Sequence, residues 1–184
     1  SCFRVMVSIE KKGVGMLCKR ILVSLGLVFI CVQAHAGDVN RAFAAAQGGD
    51  FETAMDEWMP LAEQGFARAQ YNIGVMYEMG EGAPQYYKTA VKWYTLAAKQ
   101  GYIFAQYNLA LKYFNGNGVA KDRDEAVKWY TLAGEQGHVK SQFNLAVMYD
   151  TGDGIPEDNG AALKWYTLAA NRGHIKAQYN LGLK

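Results

Sequence analysis

Lys92-Trp93-Tyr94-Thr95-Leu96-Ala97 returns as Lys128-Trp129-Tyr130-Thr131-Leu132-Ala133, and again as Lys164-Trp165-Tyr166-Thr167-Leu168-Ala169. The interval is 36 residues each time, with no gap. The same interval separates Gly65, Gly101, Gly137 and Gly173, then Gln70, Gln106, Gln142 and Gln178, then Asn72, Asn108, Asn144 and Asn180. Tyr77, Tyr113 and Tyr149 keep this register, as do Ala54, Ala90, Ala126 and Ala162. So do the pairs Gly80/Gly82, Gly116/Gly118 and Gly152/Gly154. Self-similarity at a fixed period of this length is the mark of a repeat architecture, so the fold is read from one unit.

One unit reads as two helices. Ala69, Ile73 and Tyr77 fall at i, i+4 and i+8, one face of a helix over 67–79. Gly80-x-Gly82 ends it, because glycine adopts the left-handed conformation at a helix terminus without a Cβ penalty. Ala90, Tyr94 and Ala97 line a second helix over 87–100, which Gly101 stops. Two short amphipathic helices cannot bury their apolar faces alone, so successive pairs must stack. The expected fold is all-α: a solenoid of helix-turn-helix units over 67–102, 103–138 and 139–174.

The ends differ. Val39–Ala46 reads as a helix, Gly48-Gly49 as a tight turn and Phe51–Gln64 as a second helix in register, with Trp58 where Tyr94 stands one unit later. This shorter pair over 37–66 is expected to cap the array. Residues 175–184 begin a further unit, which is expected to be truncated at Lys184.

Half of the chain is apolar (51%) and only 3 residues are proline, which excludes a disordered or collagen-like chain. The net charge of +2 is unevenly placed. Residues 1–36 carry Arg4, Lys11, Lys12, Lys19 and Arg20 against Glu10, so the other 148 residues hold 14 basic and 16 acidic groups. A nucleic-acid partner, which requires a basic face, is not expected. Lys19-Arg20, the apolar run Ile21–Val32 and the small residues Ala34 and Ala36 form a secretory leader, cleaved after Ala36. Its expected start is Met16, with residues 1–15 upstream of it. The run is too short for a membrane helix, which needs about 20 apolar residues, so no stable insertion is expected after cleavage. All three cysteines (Cys2, Cys18, Cys31) precede residue 37, leaving the exported part without disulfide or thiolate chemistry.

With these residues in view, the pattern Ala-x-x-x-Leu-Gly-x-x-Tyr-x-x-Gly-x-Gly, followed by Asp and by Ala-x-x-Trp-Tyr-x-x-Ala-Ala-x-x-Gly, resembles the Sel-1-like repeat, a relative of the tetratricopeptide repeat. It runs over Ala69–Gly101, Ala105–Gly137 and Ser141–Gly173. Ala110 and Ala146 replace the first-helix glycine seen at Gly74 and Gly182, and Tyr86 replaces the loop aspartate of Asp122 and Asp158. The resemblance implies a right-handed α-α superhelix that binds a protein or peptide partner, with periplasmic or secreted members linked to the bacterial envelope.

Little in the sequence points to catalysis. Ser141 is the one serine after residue 36 and takes the position of Ala69, Ala105 and Ala177, a core position. His138 and His174 replace Phe66 and Tyr102 at the start of first helices, where packing rather than metal binding is expected. Gly116-x-Gly118 follows a helix rather than a strand, which removes a phosphate-cradle reading. The acidic segment 150–158 lacks the spacing of a calcium loop. No catalytic, cofactor or metal residue is assigned. The alternative function is an envelope hydrolase or a peptidoglycan- or β-lactam-handling protein, as suggested for related secreted members.

Positions i, i+3, i+7 and i+10 of the first helices give one stripe: Arg68, Tyr71, Val75, Glu78, then Phe104, Tyr107, Leu111, Phe114, then Lys140, Phe143, Val147, Asp150, with Lys176 beginning the next. In tetratricopeptide-like arrays first helices line the concave side, so the resemblance implies that this stripe is the groove. Tyr71, Tyr107 and Phe143 recur, either because they pack between units or because they line that groove. Arg68, Phe104, Lys140 and Lys176 vary, which fits a tuned specificity position. Tyr113 is expected in the core. The leader carries its own test: amino-terminal sequencing of exported protein should begin at Gly37, and Ala36→Asp should block processing.

Overall fold

The computed structural model describes residues 40–183; the leader assigned to 1–36 lies outside them. Among the described residues there are nine helices and no strand. Residues 40–47 are helical (α1). They are followed by α2 (Phe51–Glu63), α3 (Ala67–Met79), α4 (Tyr87–Lys99) and α5 (Ile103–Asn115). Then come α6 (Arg123–Glu135), α7 (Val139–Thr151), α8 (Asn159–Asn171) and α9 (Ile175–Gly182). Each helix packs on the one before and the one after it, the contact pattern of an α-α repeat superhelix. The helix boundaries match the sequence reading to within a residue, because glycines fix them. Gly80, Gly116 and Gly152 are left-handed C-caps, and Gly101 bonds back to Ala98 at φ +84°.

The second glycine of each pair has a different task. At Gly118 a Cβ would stand 2.5 Å from the Tyr87 backbone, and at Gly82 it would stand 2.4 Å from the Phe51 carbonyl. Each presses a loop against the start of the preceding second helix, an approach closed to any other residue.

Alanine makes the core thin enough to stack. Ala54, Ala90, Ala126 and Ala162 have no exposed surface, and neither do Ala97, Ala133 and Ala169. Onto this floor fall Tyr94, Tyr130 and Tyr166, each at most 1% exposed, with Trp129 and Trp165 beside them. Trp58 is buried at the corresponding place in α2, in a cluster that includes Ala69, Ile73 and Met76 of α3. The α1–α2 pair thus packs on the first helix of the first repeat. The recurring Tyr77, Tyr113 and Tyr149 are only half-buried, which corrects the expectation of a core Tyr113. The fully buried tyrosines are those of the second helices, whose rings point into the joint between two units.

The recurring glutamines, to which the sequence reading gave no task, close the joints. Gln70, Gln106, Gln142 and Gln178 donate to the carbonyls of Ala62, Ala98, Gly134 and Ala170 at 2.8–3.3 Å. Those carbonyls lie in the last turn of the preceding helix and also accept from the glycine amide just beyond it, so the glutamine is their second donor. Gln100 and Gln136 then donate to the Oε1 atoms of Gln70 and Gln106, at 2.8 and 2.7 Å. Arg172 takes the equivalent position one repeat on and donates instead to the Gly137 carbonyl, so Gln142 Oε1 is buried without a partner.

Helix starts separate the repeats more sharply. Asp50, Asp122 and Asp158 cap α2, α6 and α8 by accepting from Thr53, Glu125 and Ala161 amides. Tyr86 supplies no such bond to α4. His138 and His174 cap α7 and α9 through Nδ1, accepting from the Ser141 and Ala177 amides. Ser141 Oγ lies 2.9 Å from His138 Nδ1 and is fully buried. Burial, reinforced by Lys140, holds the His138 imidazole below its ordinary pKa.

Two outcomes follow from these caps. Tyr86→Asp should stabilise the protein by about 1 kcal/mol in urea unfolding, since it supplies the missing N-cap acceptor at an exposed site. His138 accepts at Nδ1 only while neutral. Its contribution is therefore complete above about pH 6.5 and is lost as pH falls through the depressed folded value. The melting temperature should drop between about pH 7 and pH 5, and less in His138→Asn, because asparagine caps without titrating. Equal slopes in the two proteins would show that the cap does not carry the pH dependence.

Candidate functional site

The first helices α3, α5, α7 and α9 carry the stripe marked out in the sequence, and three depressions lie along it. The first, of about 630 Å³, spans α3, α5 and the start of α7, between Tyr71, Phe104, Tyr107, His138 and Lys140. The second, of about 500 Å³, repeats that arrangement one unit on, between Tyr107, Lys140, Phe143, His174 and Lys176. The third, of about 200 Å³, is apolar and lies nearer the C-terminal ends of α5 and α7, between Leu111, Phe114, Phe143, Val147 and Met148. Nine of the thirteen stripe residues line at least one of the three.

The other four are placed differently. Arg68 lays its guanidinium over the Phe43 ring of α1, 4.2 Å from the centroid. Val75 is half-buried against the core. Glu78 accepts from the Tyr94 hydroxyl at 2.6 Å and from the Lys112 ammonium, so it is held from two sides. Asp150 accepts from the Tyr166 hydroxyl at 3.2 Å. Lys112 is buried where Met76 and Met148 stand in the neighbouring repeats, a departure that the sequence reading passed over.

The recurring aromatics do both things the sequence allowed. Tyr71 packs on Tyr94 and Tyr102, with ring centroids 5.8 and 5.2 Å apart. Tyr107 packs on Tyr130 and His138 at 6.0 and 4.6 Å, and Phe143 on Tyr166 and His174 at 6.0 and 4.3 Å. Each is half-buried, with one face in the joint between units and the other lining a depression. Phe104 is more open, 48% exposed, and meets Tyr71, Tyr102 and His138 only at ring edges or tilted faces of 5.8–6.2 Å. Rings in such contact offer flat, preorganised area at little conformational cost.

Burial pushes the Tyr94 and Tyr130 phenols well above their ordinary pKa and raises that of Tyr166. Ser141 has no exposed surface from which to meet a substrate. Among the described residues no group of three or more His, Cys, Asp or Glu side chains could hold a metal, and no helix is long and apolar enough to cross a membrane.

Comparison with known proteins agrees with this geometry. The model of the Sel1 repeat matches residues 67–102, 103–138 and 139–174. The crystal structure of a Sel1 repeat protein from Oxalobacter formigenes superposes with a TM-score of 0.75 at 35% identity, over 79% of this chain and 60% of that one. A protective antigen present in uropathogenic Escherichia coli strains, displaying an SLR fold, superposes with a TM-score of 0.78 at 36% identity, over 86% of this chain and 35% of that one. The chain thus spans less than two thirds of either neighbour. No curated protein sequence matches it. Three tandem matches over more than half the residues, on a superhelix of the same architecture, decide the assignment: the chain belongs to the Sel1 repeat family, whose members generally mediate protein–protein interaction.

Proposed function

We propose that this protein is an exported, non-enzymatic adaptor that takes a protein or peptide partner along the first-helix strip. The observation that carries the reading is the row of depressions between adjacent first helices, lined by half-buried rings and exposed lysines. Aromatic residues beside charged ones, on a preformed surface, are what protein interfaces use. Export to the periplasm or beyond rests on the leader ending at Ala36. In this reading the α1–α2 pair caps the array and residues 175–184 open a further unit.

The strip is tested by separating binding from stability. Phe104→Ala and Lys140→Glu should weaken capture of a partner from envelope extract while shifting stability by less than about 1 kcal/mol, since both side chains are exposed. An aromatic anchor contributes about 2 kcal/mol, some thirtyfold in affinity. Tyr130→Ala is the contrasting variant, expected to lose about 3–5 kcal/mol of stability because its ring is fully buried. Melting curves and binding isotherms on the three variants decide the matter. A Phe104→Ala protein that melts like Tyr130→Ala would place Phe104 in the core and end the groove reading.

A further inference from the structure

The strip is chemically polarised across its width. Its edge at the starts of the first helices carries Lys140 and Lys176, one repeat apart, both exposed. Neither has an ion-pair partner among the described residues. Both line the 500 Å³ depression, Lys140 also lines the 630 Å³ one, and no carboxylate lines either. This basic edge belongs to a region, residues 37–184, in which acidic groups outnumber basic ones. The stripe's two carboxylates, Glu78 and Asp150, lie at the opposite ends of their helices and are occupied by tyrosine hydroxyls. At that opposite edge Leu111, Phe114, Val147 and Met148 line most of the 200 Å³ cavity, and the carboxylate at its rim, Asp153, is paired with Arg123.

Resting on the groove reading above, we infer that the partner segment is an acidic peptide with one large apolar side chain. Its carboxylates would meet Lys140 and Lys176, and its apolar side chain would enter the cavity between α5 and α7. The spacing sets the pattern. Neighbouring helices stack about 10 Å apart, and an extended chain advances about 3.3 Å per residue, so two carboxylates about three residues apart reach both lysines. Val147 lies seven positions beyond Lys140 on α7, again about 10 Å. The apolar side chain therefore sits about three residues from the nearer carboxylate, beyond a bend at Lys140, because α7 runs across the line that joins the two lysines.

Fluorescence anisotropy tests this on the purified full chain with a labelled Gly-Glu-Gly-Gly-Glu-Gly-Gly-Leu-Gly peptide. Two control peptides replace both Glu by Gln, or Leu by Ser. The Glu/Leu peptide should bind about tenfold more tightly than either control, and less tightly as salt rises. The double variant Lys140→Glu with Lys176→Glu should bind it about tenfold more weakly while keeping the melting temperature of the original protein. Equal binding of the Glu and Gln peptides, both lost in Phe104→Ala, would overturn the acidic preference and leave the groove standing. Binding untouched by the lysine pair and by Phe104→Ala alike would overturn both. Absence of any signal with all three peptides would overturn the inference alone, since the groove reading is tested by partner capture.

Discussion

The buried tyrosine of each second helix is the part on which the rest of the structure depends. Tyr94, Tyr130 and Tyr166 fill the joint between an alanine floor and the next first helix, and their hydroxyls must find partners because an unsatisfied buried hydroxyl is costly. The partners come from the first helices. Asn144 donates to Tyr130 at 3.2 Å and Asn180 to Tyr166 at 3.0 Å, while Glu78 and Asp150 accept from Tyr94 and Tyr166. One ring thus sets residue types on two helices and fixes the register between repeats.

Trp58 shows what happens when that ring changes. Its indole N–H can only donate, and the amide nitrogen of Asn72, in the register of Asn144, can only donate as well. Both nitrogens are buried without a partner. On the side of α1, Phe43 packs edge-on against Trp58 at 5.1 Å. Lys112 is a second local departure. Buried against Glu78, with its ammonium 5.3 Å from the Tyr87 ring centroid, it joins α5 to α3 by charge where the neighbouring repeats use methionine. A buried pair of this kind adds little net stability against an apolar pair of similar volume, but it penalises any shift of register that would leave one charge alone.

The same tyrosines form the floor of the strip. Tyr71, Tyr107 and Phe143 lie against them; His174, which caps α9, stacks on Phe143, and His138, which caps α7, packs at a tilt on Tyr107. Core, helix caps and first-helix strip are therefore one continuous aromatic assembly. A partner resting on the strip would touch rings already immobilised by folding, which lowers the ordering cost of association. The lysines that flank these rings are free to differ between repeats, because nothing in the core depends on them.

Much of this was legible in the chain itself. Strict 36-residue identity at Gly, Ala and Trp-Tyr positions determined the helix pairs, their ends and the stacked architecture, because glycine conformation and helical periodicity are local properties. The stripe on the first helices was legible for the same reason. What only the tertiary structure decided is which recurring residues face inward and what they meet. Sequence periodicity marks Gln106, Tyr113 and Tyr130 as equally repeated, yet Gln106 bridges two helices, Tyr113 stays half-exposed and Tyr130 is sealed. It likewise could not tell that Glu78 is occupied by Tyr94 and Lys112 while Lys140 faces an open depression. Repetition records that a position matters to the unit, but burial and partners are set between units, by contacts across about one repeat of chain.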